Sequence, residues 1–389
     1  MKIAQVTLRF DAPGGVETNV REVSRRLHNA GEAVTVYASD LYNEAGWDRR
    51  SNYRPIVEGV PVRRFPVYRR LVPGLTLPLF RGLISALDED APEIIHAHSH
   101  RYGHVLEAAT VAHRRAIPFV VSLHYHPADR RESAWKRGLL RCQDVAFGAT
   151  AYRIASALIV ESEYEAALAR EFAPADRIRV IPPGVDLEEW STPEADELPP
   201  GLPPRYLLYA GRIASNKGLD VLLRAYARLD AEGRPGLVLL GPDWGETGRL
   251  RALARTLSIQ DGVVFLGALD RRAAYRATMR GASAFVLASE WEAFGLVLLE
   301  AMAARVPIVA TSVGAVPEVL ERGRAGVLVP FGDEPALARA LREVVEETPR
   351  REALVNAGLE RVAQLTWDRS ANRYRELYRA LTGGDRSRA

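Results

Sequence analysis

Two Rossmann-like α/β domains are predicted by three observations. Short apolar runs alternate with amphipathic helical stretches along nearly the whole chain, the pattern of right-handed βαβ units and parallel sheets. The alternation breaks once: seven of the 24 prolines fall between residues 182 and 204. Proline has no N–H to give a ladder and stiffens the chain, so this stretch reads as a linker. With 389 residues, 47% of them hydrophobic and 26% charged, the chain can build a core for two or three domains, and disordered, collagen-like and disulfide-scaffold classes are excluded.

The first domain is expected over residues 1–182. An apolar strand at 3–8 leads into a turn, Asp11-Ala12-Pro13-Gly14-Gly15, and an amphipathic helix over 16–29. Gly31 ends that helix, and 34–37 is the next strand. Helices near 76–87, 103–114 and 145–154 then alternate with strands at 93–97, 119–123 and 157–160. After the linker, 183–204, the pattern restarts in a second domain, 205–366. Its strands are expected at 206–209, 237–240, 263–266, 284–287, 308–310 and 326–329. Helices are expected at 218–229, 247–257, 271–279, 295–304, 316–321 and 335–346. Two more helices, 351–364 and 367–381, close the chain, and the segment 367–389 is expected to pack back on the first domain. In such doubly wound sheets the ligand lies beyond the carboxyl ends of the strands, so functional residues belong in the βα loops of two domains facing across a cleft.

Charge and cysteine content narrow the function classes. Fifty-two basic residues nearly cancel 49 acidic ones, which gives no basis for a nucleic-acid groove. Cys142 is the single cysteine, so no internal disulfide can form and a reducing cytoplasm suits the chain. The N-terminus lacks the apolar core of a signal peptide, and no stretch is apolar enough for a membrane span. A soluble cytoplasmic protein is expected.

Three βα turns carry chemistry. Gly14-Gly15 precedes a helix, where small residues let backbone N–H groups approach a phosphate, although a plain tight turn explains them equally well. Arg212 and Lys217 flank the first turn of the second domain, five residues apart, and can grip a diphosphate as planar fork and compact charge. Lysine is scarce here (Lys2, Lys136 and Lys217 only), and a lysine at a helix N-terminus opposes the macrodipole unless an anion joins it. The third turn, at Ser289–Glu300, places Glu292 before a helix and Glu300 inside its apolar run. A buried carboxylate there needs hydrogen-bond donors, which the paired hydroxyls of a ribose would supply; projection of Glu300 into water is the alternative.

These motifs resemble the family 4 retaining glycosyltransferases of GT-B architecture. The resemblance rests on Glu292-x7-Glu300, Gly211-Arg212…Lys217-Gly218, Gly14-Gly15, Pro183-Gly184-Val185-Asp186, Pro307–Thr311 with Gly314 and Pro317-Glu318, and Gly326–Pro330 with Gly332-Asp333. It departs at Ala288, where proline is usual, and at Arg305 and Ala315, where glycine is. The resemblance implies a nucleotide-sugar donor held mainly by the second domain, with Arg212 and Lys217 on the diphosphate, Glu300 on the ribose and Glu292 on the sugar. Backbone groups of Phe294, Gly295, Leu296 and Val297 would meet sugar and phosphates, and Leu269 would lie near the base. His124 would be the active-site histidine, with His98 and Tyr125 on the acceptor side.

All eight histidines fall in the first domain. His96, His98 and His100, then His124 and His126, sit at alternating positions near strand ends, a pattern open to a zinc site and a metal-dependent hydrolase. No histidine follows His126 to complete one, and no metal or other cofactor is expected. Asp88-Glu89-Asp90 reads as a solvated turn at a helix end. Between residues 63 and 141 there are 13 basic and 7 acidic side chains, an excess of 13 − 7 = +6, open to a peripheral contact with anionic lipid or to an ordinary basic face. The expected activity is transfer of a hexosyl group from UDP- or GDP-sugar to a hydroxyl of a lipid, saccharide or small molecule by front-face attack. The acceptor is expected at loops 40–54 and 125–137. A nucleotide-sugar 2-epimerase and a non-catalytic sugar-nucleotide binder are the alternatives.

Overall fold

The computed structural model describes residues 1–389 except 13, 44–47, 50–52, 69–77, 126–132, 192–197, 347 and 384–389. The chain forms two compact units, Met1–Pro183 with Trp367–Ala389, and Gly184–Thr366. The second unit therefore begins inside the proline-rich stretch. Val185 takes its backbone hydrogen bond from its N–H to the Leu365 carbonyl at 3.0 Å and pairs with Thr366, so the segments entering and leaving this unit lie side by side.

In the first unit, strands β1 (Lys2–Thr7), β2 (Ala33–Ser39), β3 (Ile56–Val57), β4 (Val60–Phe65), β5 (Ile94–His98), β6 (Phe119–Ser122), β7 (Ala157–Val160) and β8 (Ile178–Val180) form one sheet. Its order is β8-β7-β6-β5-β1-β2-β4-β3, parallel except for the β3–β4 hairpin. The central strands are buried on both faces, as their largely apolar sequences require, with Gln5 and Thr7 on β1 and His96 and His98 on β5 as buried polar residues. Helices α1 (Gly15–Asn29), α2 (Leu83–Asp90), α3 (Gly103–Arg115), α4 (Ala134–Phe147) and α5 (Glu163–Ala169) cover them.

The second unit opens with α6 (Leu187–Ser191). Its parallel sheet has the order β11-β10-β9-β12-β13-β14, built from β9 (Tyr206–Ala210), β10 (Gly236–Leu240), β11 (Val263–Gly267), β12 (Ala284–Leu287), β13 (Ile308–Thr311) and β14 (Val327–Val329). Helices α7 (Leu219–Ala227), α8 (Thr247–Thr256), α9 (Arg272–Arg280), α10 (Leu296–Ala303), α11 (Val316–Val319), α12 (Glu334–Glu346) and α13 (Thr348–Val362) connect and follow these strands. The last helix, α14 (Trp367–Gly383), belongs to the first unit: Trp367, Ala371, Tyr374 and Tyr378 are buried, and Asp368 bonds Arg26 of α1.

Some elements differ from expectation. The helix expected at 76–87 is α2, over Leu83–Asp90. Leu79–Phe80 instead pairs antiparallel with Val67–Tyr68, and Gly82, in the left-handed region at φ 91°, starts the helix. The helix expected at 145–154 begins at Ala134 and passes into a π turn at Gly148–Tyr152; glycines 138 and 148 hid its length. The hairpin β3–β4 was not anticipated. Asp88 and Asp90 are not simply solvated: Asp88 bonds Arg114 and Arg115, and Asp90 bonds Tyr37 and Arg63. Arg305, where the resemblance expects glycine, has φ 62°, a conformation that glycine adopts without strain.

Candidate active site

At the carboxyl edge of the second unit's sheet, the βα turns are bound to one another through backbone. Gly211 N–H donates to the Leu240 carbonyl, Ile213 to Pro242, Trp244 to Ile213, and Glu290 to Asn216, all at 2.9–3.0 Å. Three glycines make this closeness possible. A Cβ at Gly218 would lie 2.0 Å from the Ala288 carbonyl oxygen, at Gly241 1.9 Å from that of Gly211, and at Gly314 1.9 Å from that of Glu292. Each has a positive φ, so both conformation and space demand glycine.

On this platform Lys217 Nζ lies 2.6 Å from Glu292 Oε1, and Ser289 Oγ donates to the same oxygen at 2.6 Å. The lysine and carboxylate side chains are each only 13% exposed. Arg212 is half-buried, its guanidinium 4.4 Å from the ring centroid of Trp244, and its carbonyl accepts the Tyr209 hydroxyl at 2.7 Å. Trp244 itself is 39% exposed, leaving an aromatic face beside the cation. Gly295, at φ 86°, opens α10, with Phe294 buried in the core and Leu296 and Val297 partly buried. Leu269 packs against the same core from the turn before α9.

Glu300 does not project into water. Its Oε1 accepts Arg272 Nη1 at 2.8 Å and its Oε2 accepts the Tyr275 hydroxyl at 2.5 Å. Arg272 also bonds Glu189, which Arg276 holds at 2.8 Å. A carboxylate has about four acceptor positions, so each oxygen keeps capacity for a ribose hydroxyl.

The first unit gathers its own groups at the corresponding edge of its sheet. Gly14 and Gly15 open α1, where Glu17 is buried and paired with Arg9 at 2.6 Å. A Cβ at Gly14 would strike Glu17 Oε2 at 2.0 Å. His124, after β6, has a φ of 44°, an uncommon backbone conformation for a residue with a side chain. Its Nδ1 lies 3.1 Å from Glu161 Oε1 and its Nε2 3.4 Å from His98 Nδ1. His98 is buried beneath it, with Nε2 2.7 Å from Gln5 Oε1. The Tyr125 ring lies tilted against His100 and Phe172, 5.0 and 5.8 Å between centroids, and the Tyr125 backbone N–H donates to Glu165. His126 lies outside the described residues. Among the described residues no group of three or more His, Cys, Asp or Glu side chains is arranged for a metal ion.

Burial, and then the neighbouring Glu161 carboxylate, push the Glu165 carboxyl up to about 7 against the hydrogen bonds of the Tyr125 and Glu161 N–H groups. A raised carboxyl favours the fold in acid, and that contribution is lost as the pH rises through about 7. Each Glu165 oxygen accepts one backbone N–H, at 2.7 Å in both cases. Glu165→Gln turns an NH₂ group towards one of those donors and is expected to cost about 1–3 kcal/mol. The measurement is the melting temperature near neutral pH, where an unchanged value would refute the arrangement.

Sequence reasoning did not reach Trp244, Ser289, Arg272, Tyr275, Gln5, Glu161 or Tyr378. Of these only Trp244, between Gly241-Pro242 and Gly245 in a βα turn, carried a readable signal. The others act through partners 3 to 373 positions away in sequence.

Known proteins define the class. The Glycosyltransferase Family 4 model matches residues 13–189, and that of Glycosyl transferases group 1 matches 193–361. Sucrose-phosphate synthase from Thermosynechococcus elongatus has a similar structure, with a TM-score of 0.77 and 23% identity, covering 98% of this chain and 99% of that one. HepE from Anabaena, solved in complex with UDP-glucose, gives a TM-score of 0.75 at 18% identity, covering 98% and 100%. The architecture is GT-B. In sequence, the chain is 33% identical to D-inositol 3-phosphate glycosyltransferase of Nocardiopsis dassonvillei, over 98% of this chain and 95% of that protein. It is 34% identical to the Streptomyces scabiei protein of that name, over 94% and 86%. The chain belongs to the family 4 glycosyltransferases and is a glycosyltransferase.

Proposed function

We propose that this enzyme transfers a hexosyl group from a UDP- or GDP-sugar to a hydroxyl acceptor with retention of configuration, without a metal ion. The observation that carries this reading is the convergence of Lys217, Glu292, Ser289 and Arg212 on glycine-tightened βα turns at one sheet edge. Fixed cations in such turns can neutralise a diphosphate where a metal would otherwise be required. The UDP-glucose complex of HepE supports UDP as the nucleotide, and the inositol-phosphate enzymes support a small polyol acceptor. Lipid and saccharide acceptors remain within the same chemistry.

In this reading Arg212 and Lys217 hold the diphosphate, with the Trp244 face beside Arg212. Glu292 and the first N–H groups of α10, at Gly295, Leu296 and Val297, meet the sugar, and Glu300 receives the ribose hydroxyls. Gly14 and Gly15 lend backbone donors from the first unit. His124 serves the reacting sugar, and Tyr125 and His98 belong to the acceptor side. The C1–O bond to the diphosphate breaks as the acceptor oxygen attacks C1 from the same face. The acceptor proton passes to the departing phosphate oxygen, and the two cations absorb its growing charge. No helix of the described residues is long and apolar enough to cross a membrane, and the enzyme is proposed to work in the cytoplasm.

The test incubates the enzyme with UDP- and GDP-hexoses, with and without inositol phosphates, sugars and lipids. It reads released nucleotide and the anomeric configuration of the product by NMR. An α-linked product from an α-linked donor supports the proposal. An inverted product, free 2-epimerised sugar, or binding without turnover overturns it. Glu300→Gln is expected to raise the donor KM by roughly 10- to 100-fold with a smaller change in kcat, the loss of a charge-assisted hydrogen bond to ribose.

A further inference from the structure

A buried chain of hydrogen bonds runs through the first unit from β7 to the last helix. Glu161 faces His124, His124 faces His98, His98 faces Gln5, and Gln5 reaches Tyr378 on α14, which touches His96. His96 ends the chain on Ser122 Oγ at 2.9 Å. Each group can donate or accept in a limited number of ways, so the direction of one bond fixes the next.

The Gln5 amide nitrogen donates to the Tyr378 hydroxyl at 3.1 Å, which leaves its oxygen to accept from His98 Nε2 at 2.7 Å. His98 Nε2 therefore carries a proton. Burial holds the His98 ring neutral, its pKa pulled well below the usual value, so Nδ1 is bare and can only accept. His124 Nε2, 3.4 Å away, must then be the donor. The other His124 nitrogen faces a carboxylate oxygen at 3.1 Å and must also be a donor. Both nitrogens of His124 thus carry protons. The charges around the ring agree: Glu161, Glu165 and Glu17 face it, with Arg9 paired to Glu17, while the histidines beside it, His98 and His96, are neutral.

We propose that His124 serves the reaction as an imidazolium held by Glu161, and that Tyr378, acting through Gln5 and His98, is a positioning residue that fixes this state. The inference deepens the function proposed above and rests on it. Burial lowers the His124 pKa, but attraction to Glu161 and the hydrogen bond to it, aided by Glu165 and Glu17, outweigh burial and leave it raised above 6.5. The 3.4 Å link to His98 is the longest in the chain, and so the one that an oxygen of the reacting substrate can replace. An imidazolium N–H offered there stabilises developing negative charge without a proton transfer.

The first measurement reads the protonation state directly and does not depend on turnover. The full-length enzyme, labelled with ¹⁵N-histidine, is examined by long-range ¹H–¹⁵N correlation at pH 7.5, with the His124 signal assigned by its loss in His124→Gln. Protons on both ring nitrogens are expected, falling to one in Glu161→Gln; a singly protonated His124 in the unaltered enzyme overturns the proposal even if turnover is normal. The second measurement is the pH profile of kcat/KM with UDP-glucose or whichever donor is turned over. Tyr378→Phe is expected to shift its alkaline limb to lower pH and to lower kcat roughly tenfold at unchanged donor KM. A fall in kcat with the limb unmoved reduces Tyr378 to a packing role and overturns that part. Absence of turnover with every nucleotide-sugar, alongside an imidazolium in the spectrum, overturns the function and the use of the charge in catalysis while sustaining the charge itself.

Discussion

Lys217→Ala is expected to lower kcat by roughly 10²–10³ while leaving acceptor KM nearly unchanged, the usual cost of removing one donor to a developing oxyanion. The lysine sits at the turn before α7, and its ammonium lies 2.6 Å from Glu292. A bound diphosphate would share that ammonium with the carboxylate, and the share it receives grows as the C1–O bond breaks and charge moves onto phosphate. The effect therefore falls on the transition state more than on ground-state binding. Removing the lysine also takes from Glu292 the ammonium 2.6 Å away while Ser289 still donates to it, at a structural cost of about 1–3 kcal/mol. The two effects are separable: the melting temperature of Lys217→Ala reads the structural cost, and kcat measured on folded protein below that temperature reads the lost donor. Steady-state kinetics on folded protein decides the matter. A variant with near-normal kcat would remove the diphosphate grip from the mechanism.

Gly218→Ala is expected to cost more than about 3 kcal/mol and to abolish donor binding. Its φ of 60° is a strained conformation for alanine, and the added Cβ would lie 2.0 Å from the Ala288 carbonyl oxygen, with Phe331 at 3.1 Å on another side. A backbone oxygen fixed between β12 and the Glu292 turn cannot move aside without carrying Ser289 and Glu292 with it. Gly245→Ala is the control. It has a positive φ of 91° but no atom within 4 Å, so it suffers strain without collision. Calorimetry should show the second unit's melting temperature falling by more than roughly 6 °C for Gly218→Ala and by less for Gly245→Ala. Equal falls would show that conformation alone, and not turn-to-turn contact, demands the glycine.

The sequence revealed the parallel sheets well because their central strands are buried on both faces and read as mostly apolar runs, unbroken in Leu207–Tyr209 and Phe285–Leu287. Edge elements were harder: Leu79–Phe80 carries the same apolar signal as a helix, and only its pairing with Val67–Tyr68 distinguishes the two. In the site, the residues that stood out are those with unusual chemistry for their local setting, such as Lys217 at a helix start and Glu300 in an apolar run. The groups that hold them were silent. Arg272 and Tyr275 look like ordinary members of an amphipathic helix until α9 and α10 are packed together. Glu161 looks like the polar residue that ends a strand. Gln5, in the middle of β1, is a polar residue at a core position whose partners, His98 and Tyr378, lie 93 and 373 positions away.

The chain leaves its first unit at Pro183 and returns at Trp367, which has a consequence for biosynthesis. Emerging from the ribosome, the opening 183 residues carry every strand of their sheet but lack α14, and with it the tyrosine that bonds Gln5 and His96. The later unit, by contrast, is contiguous and has all its parts once Thr366 is outside the exit tunnel. The half that is translated first must therefore be the half that matures last, and a nascent chain stalled short of α14 would carry a finished second unit and an incomplete first one.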